Sequence, residues 1–377
     1  MTIQILFNRL SVLLGIFLLG VACQDRSQTK TNQQDKPLRT WQPKYATGFQ
    51  ITYYDDYKVI HQKTVDKKYW LGSSADSSKS EKYIYLAKVP SKTVLLSTII
   101  VAWFDMLEQE KCIVGFSGSN YLYNPKLKIA VQNTQIKEIS SANGSGLNKE
   151  LLLSLQPEAI FTFYDPSNES TQAILDILKL PVIYTSEQME ASPLAQAEWL
   201  VFIASFFNQE DKAIGLFNKI ENNYLAIKKR VRTQNSKTVF CNIPYKDVWY
   251  TPSGKSFPAQ LIQDAGGDYC FKDLTGRPSV PLSLENVLVK GLNADLWLVN
   301  SSLHHTKQQL RAEQEVFQKL KVYRTNQMYN PTKRINGNGN DFFETGITSP
   351  DLVLQDLVNI IEGRTDSLYF YQPITSN

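Results

Sequence analysis

The order of apolar and polar positions divides the chain into segments of different kinds. Between residues 45 and 90, GFQITYYDDYKVIHQ alternates apolar and polar residues on both sides of Asp55-Asp56, which predicts a β-hairpin. From Thr93 onward, short apolar runs such as TVLLS, CIVGFS, EAIFTF and PVIYTS alternate with segments of helical spacing such as IIVAWFDML and TQAILDILKL. Strands that alternate with helices are typical of an α/β layer with mostly parallel strands.

The middle of the chain predicts connecting helices. Ser192-Pro193 provides an N-cap and a first-turn proline for a helix that runs through AEWLVFIASFF. Asn208 is expected to cap a second helix over residues 209–232, whose apolar residues recur three and four positions apart and form one stripe. This helix would be about 36 Å long, which is enough to brace two lobes.

The alternation resumes after this helix, and the two halves of the chain echo each other. NKELLLSLQPEAIFTF (residues 148–163) and SLENVLVKGLNADLWLV (residues 283–299) each contain a polar start, a glutamate, an apolar helical turn and an apolar strand, in that order. The pattern therefore predicts an α/β protein in which two Rossmann-like lobes are bridged by a long α-helix, with an N-terminal β-rich extension.

The N-terminus carries a different signal, VLLGIFLLGVACQDRS. The apolar run over residues 12–22 is too short to span a bilayer, which needs about 20 residues. It fits the apolar core of a secretory signal behind Arg9. The order Ala22-Cys23 resembles the lipobox of bacterial lipoproteins, in which the cysteine thiol is acylated, although Gly20 stands where leucine is usual. An ordinary signal peptide with an incidental cysteine is the alternative.

The segment after Cys23, QDRSQTKTNQQDKP, is too polar to bury a core and predicts a tether. These patterns together predict the following organisation: signal peptide 1–22, polar tether 23–44, β-rich extension 45–90, N-terminal lobe 91–191, connecting helices 192–235 and C-terminal lobe 236–377.

Composition limits the possible partners. A formal net charge of +4 is too small to indicate a nucleic-acid partner. Besides Cys23 the chain has Cys112, Cys241 and Cys270, which allow at most one disulfide and are expected to be small buried side chains. The 3 histidines argue against a receptor for bare zinc or manganese, and no G-x-S-x-G nucleophile elbow occurs. We therefore expect no catalytic site, no resident metal and no cofactor.

Taken in order, the motifs between Thr93 and Gly363 resemble the class III substrate-binding proteins of ABC importers, the family that carries cobalamin, ferric siderophores and haem. TVLLSTIIVAWFDMLEQEKCIVGFSGSNY is similar to the family's opening strand, helix and second strand. NKELLLSLQPEAIF and PLSLENVLVKGLNADLWLV resemble the signatures of the two lobes, with Glu158 where aspartate is commoner. FPAQLIQDAGGDYCF and NDFFETGITSPDLVLQDL resemble later segments of the second lobe. The stretch from Tyr45 to Lys88 is absent from smaller members, and we expect it to cover an edge of the first sheet.

The resemblance implies that the ligand is a metal chelate held between the lobes, where loops follow the carboxyl ends of the strands. Aromatic walls suit a large chelate, and an arginine can pair with its carboxylates. Trp249 is favoured because YKDVWY has the composition of a loop. The candidate cleft residues are Ser97, Ser117, Tyr121 and Tyr164 in the first lobe and Tyr245, Trp249, Tyr250, Arg334 and Phe342 in the second.

Glu150 and Glu285 occupy matching positions in the echo. The resemblance implies that these two acids, one on each lobe, dock on arginines of a dimeric ABC permease. The alternative is that each is a helix N-terminal glutamate favoured by the helix dipole.

The sequence thus predicts a monomer, lipid-anchored in the cell envelope and facing the periplasm or the exterior, that is not an enzyme and delivers a metal chelate to an ABC permease. Two other functions stay open. One is a lipid-tethered hydrolase that uses a pair of acids, or a serine with His304, and the other is a surface adhesion lipoprotein without a ligand.

The anchor can be tested by changing Cys23 to Ser. We expect the variant to move from the membrane fraction to the soluble fraction, because an acyl anchor contributes about 0.8 kcal/mol for each buried CH₂ group. Fractionation and mass spectrometry of the N-terminal peptide measure this. An unchanged membrane fraction without acyl mass on the wild-type peptide would contradict lipidation.

Overall fold

The computed structural model of the protein describes residues 36–73, 82–140, 146–165, 169–231, 236–246 and 248–376. One compact unit begins at Pro37. The predicted signal peptide and the predicted lipidation site at Cys23 lie outside the described residues. Among the described residues, no helix is both long and apolar enough to cross a membrane.

The N-terminal extension is a five-stranded sheet whose strands follow one another in chain order. Phe49 pairs with Gln62 and Tyr53 with Lys58, which confirms the hairpin predicted around Asp55-Asp56. The strands are β1 (Arg39–Trp41), β2 (Phe49–Tyr53), β3 (Tyr57–Gln62), β4 (Lys67–Gly72) and β5 (Ile84–Leu86). The extension begins before the predicted boundary at residue 45, because β1 lies in the segment predicted as a tether and pairs with β2.

The first lobe is a parallel sheet in the order β10-β9-β6-β7-β8. Its strands are β6 (Thr93–Leu95), β7 (Ile113–Phe116), β8 (Lys137–Glu138), β9 (Ala159–Phe163) and β10 (Val182–Thr185). Its helices are α1 (Thr98–Met106), α2 (Pro125–Gln132), α3 (Lys149–Leu155) and α4 (Glu169–Leu178), with 3₁₀ turns at Glu110–Cys112, Ser119–Tyr121 and Glu187–Met189.

Three helices connect the lobes: α5 (Pro193–Ala197), α6 (Trp199–Ser205) and α7 (Glu210–Arg230). Ser192 caps α5 as predicted, because its Oγ accepts the Ala195 N–H at 3.2 Å. The predicted cap at Asn208 is wrong. Asn208 has a left-handed φ of 55°, the conformation that commonly follows the end of a helix, so it terminates the preceding helix and α7 starts at Glu210.

The second lobe contains the sheet β13-β11-β15-β16-β19, in which only β19 runs antiparallel to its neighbour. Its strands are β11 (Thr238–Cys241), β13 (Asp268–Tyr269), β15 (Leu296–Leu298), β16 (Met328–Asn330) and β19 (Gln372–Pro373). Two small antiparallel pairs are β12 (Val248–Pro252) with β14 (Ser279–Ser283) and β17 (Ile335–Asn336) with β18 (Gly339–Asn340). The helices are α8 (Phe257–Asp264), α9 (Leu284–Gly291), α10 (Lys307–Glu313), α11 (Lys321–Thr325), α12 (Asp341–Thr345) and α13 (Pro350–Glu362), with a 3₁₀ turn at Glu315–Lys319.

The two lobes are built on the same strand order. β7-β6-β9-β10 in the first lobe corresponds to β13-β11-β15-β16 in the second. An acid just before β9 in the first lobe, and an acid just before β15 in the second, each bind the backbone where the corresponding strand β6 or β11 begins. Glu158 accepts the N–H groups of Ser91 and Lys92, and Asp295 accepts that of Thr238. The similar order of residues in segments 148–163 and 283–299 therefore reflects a structural repeat.

The long helix α7 bridges the lobes as expected. Near its start, Ala213 is buried in the core of the first lobe, together with Trp199 and Phe202. Phe217 and Tyr224, further along the same stripe, are buried in the core of the second lobe. One apolar stripe thus belongs to two cores.

A second connection crosses between the lobes at another point. The carboxylate of Glu344, in α12, accepts the N–H groups of Tyr123 at 2.7 Å and Asn124 at 3.1 Å, both in the first lobe. Asn336 donates to the Tyr123 carbonyl at 3.1 Å. A Cβ on Gly339 would lie 2.2 Å from the Leu122 oxygen, so the β17–β18 hairpin needs glycine there to approach.

The extension is fixed to the body by a segment that we call the strap, residues 44–48. Glu198, between α5 and α6, accepts the N–H groups of three successive strap residues, Lys44, Tyr45 and Ala46, at 2.6–2.9 Å. Glu190 accepts the next two, at 3.0 Å and 2.9 Å. The Tyr45 ring packs against the cores of both lobes. The strap therefore covers the junction between the lobes.

The extension also covers the free edge of the first sheet, as expected. Strand β10 ends that sheet, and its Tyr184 N–H donates to the Tyr69 hydroxyl of β4 at 2.9 Å. Phe49 packs against Trp199 and Phe202 with ring centroids 5.1 Å and 5.4 Å apart. The extension supplies part of the core of the first lobe.

Glu198→Gln tests the strap. The amide offers one uncharged acceptor to three N–H groups, so we expect a loss of about 1.5–3 kcal/mol in the free energy of unfolding, the range for a hydrogen bond to a charged group. Urea unfolding measures it. Glu315→Gln is the control, because that side chain is 82% exposed and should leave the midpoint unchanged. Equal effects of both changes would contradict the role of the strap.

Candidate functional site

A cavity of about 1020 Å³ lies between the lobes. On the side of the second lobe, its wall is formed where β11 and β15 end, by residues 241–243 and by Leu298 and Asn300. On the other side, Ile99 follows β6, and Gln188 and Met189 follow β10. The cavity thus lies at the carboxyl ends of strands from both sheets, the place where open α/β sheets bind ligands.

Most of the wall is apolar. Helices α8, α12 and α13 and the loop after α12 contribute aliphatic and aromatic side chains. These include Phe257, Leu261, Ile262, Phe342, Phe343, Ile347, Val353 and Leu357.

The polar part of the wall centres on two asparagines. Asn300 Nδ2 donates to Asn242 Oδ1 at 3.0 Å, and the Tyr371 hydroxyl donates to Asn300 Oδ1 at 3.1 Å. Asn242 has a φ of 71° and donates its own Nδ2 to the Tyr250 carbonyl at 2.8 Å. Asparagine tolerates this left-handed backbone better than most residues. The network holds both amides in one orientation.

Two buried tryptophans lie behind this wall. Trp249 Nε1 donates to the Cys241 carbonyl at 3.0 Å, and Trp297 Nε1 donates to the Asn242 carbonyl at 2.8 Å. Their rings pack with Phe240 and Phe317 in the core of the second lobe. They fix the backbone of the loop after β11.

The prediction that Trp249 contacts the ligand from a loop is therefore wrong. Trp249 lies in strand β12 and is 0% exposed, while its neighbour Tyr250 is 47% exposed and lines the cavity. Successive side chains of a strand point to opposite faces, so the residue beside Trp249 reaches the cavity.

Of the other predicted cleft residues, Phe342 joins Tyr250 in the wall. Ser97 precedes α1, two positions before Ile99, and Ser117 bonds Ser140 at 2.9 Å beside a separate small pocket. Tyr121 and Tyr245 are exposed, and Tyr164 packs edge-on against Tyr184. Six of the predicted cleft residues do not line the cavity: Ser97, Ser117, Tyr121, Tyr164, Tyr245 and Arg334.

The Arg334 side chain binds residues outside the cavity wall. Its Nε donates to the buried carboxylate of Asp341, and its guanidinium lies 4.5 Å from the Tyr369 ring and 5.5 Å from the Tyr123 ring. It supports the second connection between the lobes.

Four further residues line the cavity but were not predicted from the sequence: Asn242, Asn300, Gln188 and Tyr371. A usable signal existed for the two asparagines, because each follows directly or closely on an apolar run, TVFC and LWLV, that ends a strand of the sheet. Gln188 and Tyr371 follow no such pattern. Gln188 donates to the Tyr164 carbonyl at 2.9 Å, and its Oε1 is buried with no partner among the described residues.

A serine, a histidine and a glutamate do come together after β15, which bears on the hydrolase alternative. Ser301 Oγ lies 2.8 Å from His304 Nδ1, and His304 Nε2 lies 3.7 Å from Glu313. Burial lowers the pKa of His304. However, Ser301 Oγ also accepts the Leu303 N–H at 3.1 Å, and none of the three residues lines the cavity. These contacts order the loop.

Glu150 and Glu285 occupy the same position in two equivalent helices. Each is exposed and is the second residue of its helix, α3 or α9. Asn148 and Ser283 cap the helices through the Leu151 and Asn286 N–H groups, at 2.9 Å and 3.3 Å. Helix α3 leads to β9 and helix α9 leads to β15, the strands that correspond between the two lobes.

Comparison with known proteins decides the family. Residues 94–334, more than half of the chain, match the family model described as periplasmic binding protein. The chain belongs to the periplasmic binding protein family. Proteins of this family bind solutes.

Other similarities agree with this family. The chain is 25% identical to an uncharacterised lipoprotein of Methanocaldococcus jannaschii, over 89% of this chain and 86% of that protein. The fold is similar to that of a possible iron-binding protein of Staphylococcus epidermidis (TM-score 0.55, 19% identity, 73% of this chain and 99% of that chain). It is also similar to the vitamin B12 binding protein of Vibrio cholerae (TM-score 0.52, 13% identity, 74% and 99%).

In this periplasmic binding protein, Trp249→Ala and Tyr250→Ala should separate stability from cavity shape. We expect Trp249→Ala to lower the free energy of unfolding by about 3–5 kcal/mol, because it leaves a cavity in the core. Tyr250→Ala should cost less than about 1 kcal/mol, because its ring is half exposed. Thermal or urea unfolding compares them. A larger loss for Tyr250→Ala would contradict the assignment of Trp249 to the core.

Proposed function

We propose that the protein is the membrane-anchored substrate-binding component of an ABC importer, which binds a metal chelate between its lobes and delivers it to the permease. The observation that carries this proposal is the cavity between two equivalent lobes, at the carboxyl ends of their strands.

The size and wall of the cavity support a large ligand. Its volume of about 1020 Å³ is at the upper end of the range for ligand pockets, about 300–1,000 Å³. The described residues contain no cluster of three or more histidine, cysteine or acidic side chains that could hold a metal ion. A metal that binds here would arrive with its own ligands, as it does in a chelate.

The two equivalent glutamates support a partner with two-fold symmetry. Each is followed, one helical turn later, by an exposed apolar residue, Leu153 after Glu150 and Val289 after Glu285. Residues three or four apart share a face of a helix, so each lobe presents an acid beside an apolar side chain. A permease dimer that offers an arginine and an apolar contact in each half fits this pair.

The proposed location is the cell envelope. The family and the similar lipoprotein support it, and the lipidation of Cys23 is proposed from the sequence. The hydrolase alternative is disfavoured because the serine and histidine that do meet lie outside the cavity wall.

Charge reversal at both glutamates tests the docking. Glu150→Arg with Glu285→Arg should abolish chelate uptake by cells, since like-charge contacts with permease arginines cost several kcal/mol. Ligand affinity should stay unchanged, because neither residue lines the cavity. The probes are cyanocobalamin, haem and ferric siderophores. Binding is followed by tryptophan fluorescence, because Trp249 and Trp297 bond the cavity wall.

The matched control is Glu108→Arg with Glu315→Arg, which makes the same charge change at one exposed site on each lobe. Uptake should survive in the control. If the variant at positions 150 and 285 still supports uptake, the docking assignment fails while chelate binding stands. If none of the probes quenches the fluorescence, the chelate function fails.

A further inference from the structure

We infer that the ligand is a chelate with little or no net charge, bound through amide and hydroxamate-type polar groups, and that highly anionic chelates such as ferric tris-catecholates are rejected. This inference rests on the proposed function. It concerns which chelates enter the cavity between the lobes.

The first observation is the charge of the wall. Arg277 is the one charged side chain among the described residues that line the cavity, and it is exposed. Arg334, the basic residue expected in the cleft, is paired with Asp341 outside the wall. The wall therefore offers an anion a single guanidinium, in a solvated position.

The second observation is the chemistry of the remaining polar wall. Its amide side chains are Gln188 and Gln196 on one side and Asn242 and Asn300 on the other. Such amides donate and accept hydrogen bonds without charge. Gln188 lines the cavity, and its Oε1 is buried with no partner among the described residues. Neutral amides suit a ligand whose periphery carries amides or hydroxamates.

The third observation is a buried acid behind the wall. Glu187 precedes Gln188 and is 1% exposed, and its Oε2 has no hydrogen-bond partner among the described residues. Burial raises the pKa of Glu187 to about 7. Any charge on this carboxyl is negative, so Glu187 cannot neutralise a bound anion.

The physical consequence is a large penalty for anions. A ferric tris-catecholate carries three net negative charges, because three dianionic catecholates surround one trivalent iron. One exposed arginine would leave most of that charge unpaired in an apolar cavity, which is unfavourable. A ferric trihydroxamate is neutral, and cyanocobalamin is neutral with an amide periphery. Neither incurs this penalty.

The experiment compares three probes on the full-length protein by fluorescence titration at low and high salt: a neutral ferric trihydroxamate, cyanocobalamin and a ferric tris-catecholate. We expect at least one neutral probe to bind about tenfold or more tighter than the tris-catecholate, a difference of about 1.4 kcal/mol.

A gain-of-function variant sharpens the test. Met189 lines the cavity and is 54% exposed, so Met189→Arg adds a cation to the wall without burying it. We expect this variant to raise tris-catecholate affinity about tenfold relative to the neutral probes, and to do so less at high salt. Ile129→Arg adds the same charge at an equally exposed residue outside the cavity, and it should leave the preference unchanged.

The outcomes separate the inference from the proposed function. Tris-catecholate binding that equals or exceeds that of both neutral probes overturns the inference but leaves chelate binding standing. The inference is also overturned if Met189→Arg and Ile129→Arg raise tris-catecholate affinity relative to the neutral probes by the same factor. In that case the cavity wall would not set the selectivity. Failure of all three probes to bind overturns the proposed function and the inference with it.

Discussion

The structure depends on one apolar stripe that belongs to two hydrophobic cores. Helix α7 buries Ala213 with the aromatic residues of the first lobe and Phe217, Tyr224 and Ile227 with those of the second. Because both cores lose apolar contacts if the helix shifts, the relative position of the lobes is set by packing rather than by a flexible linker. Because the cavity lies between the lobes, its width depends on this packing.

Polar contacts add to this constraint at two other points. The strap directs five successive N–H groups to Glu198 and Glu190, and the Tyr45 ring reaches both cores. At the second connection, Glu344 accepts two N–H groups of the first lobe, and burial raises the pKa of Glu344 to about 7. A buried carboxylate is stabilised by such N–H groups. Each of these acids therefore needs the backbone segment that it binds, and its hydrogen bonds hold that segment in place. The extension is thereby part of the body.

The cavity wall is supported from behind in the same way. The indole N–H groups of Trp249 and Trp297 hold the carbonyls of Cys241 and Asn242, and the Asn242 side chain in turn holds Asn300. Rigid side chains in the core therefore position the neutral amides that face the cavity. A pre-formed wall of this kind selects ligands by shape and charge rather than by adapting to them.

The sequence by itself determined the alternation of strands and helices in two lobes, the bridging helix and the equivalence of Glu150 and Glu285, because apolar periodicity and repeated order are local properties of the chain. It did not determine every element, since the segment YKDVWY, predicted as a loop, contains strand β12. Only the tertiary structure decided which aromatic residues face the cavity. Trp249 and Tyr250 are neighbours in one strand, and a period of two assigns them to opposite faces without saying which face is buried. The same holds for Arg334, whose position in the sequence suited a ligand contact, whereas the fold places Asp341 and two tyrosine rings against it. Side-chain direction is set by contacts between distant segments, and those contacts exist only once the lobes have packed.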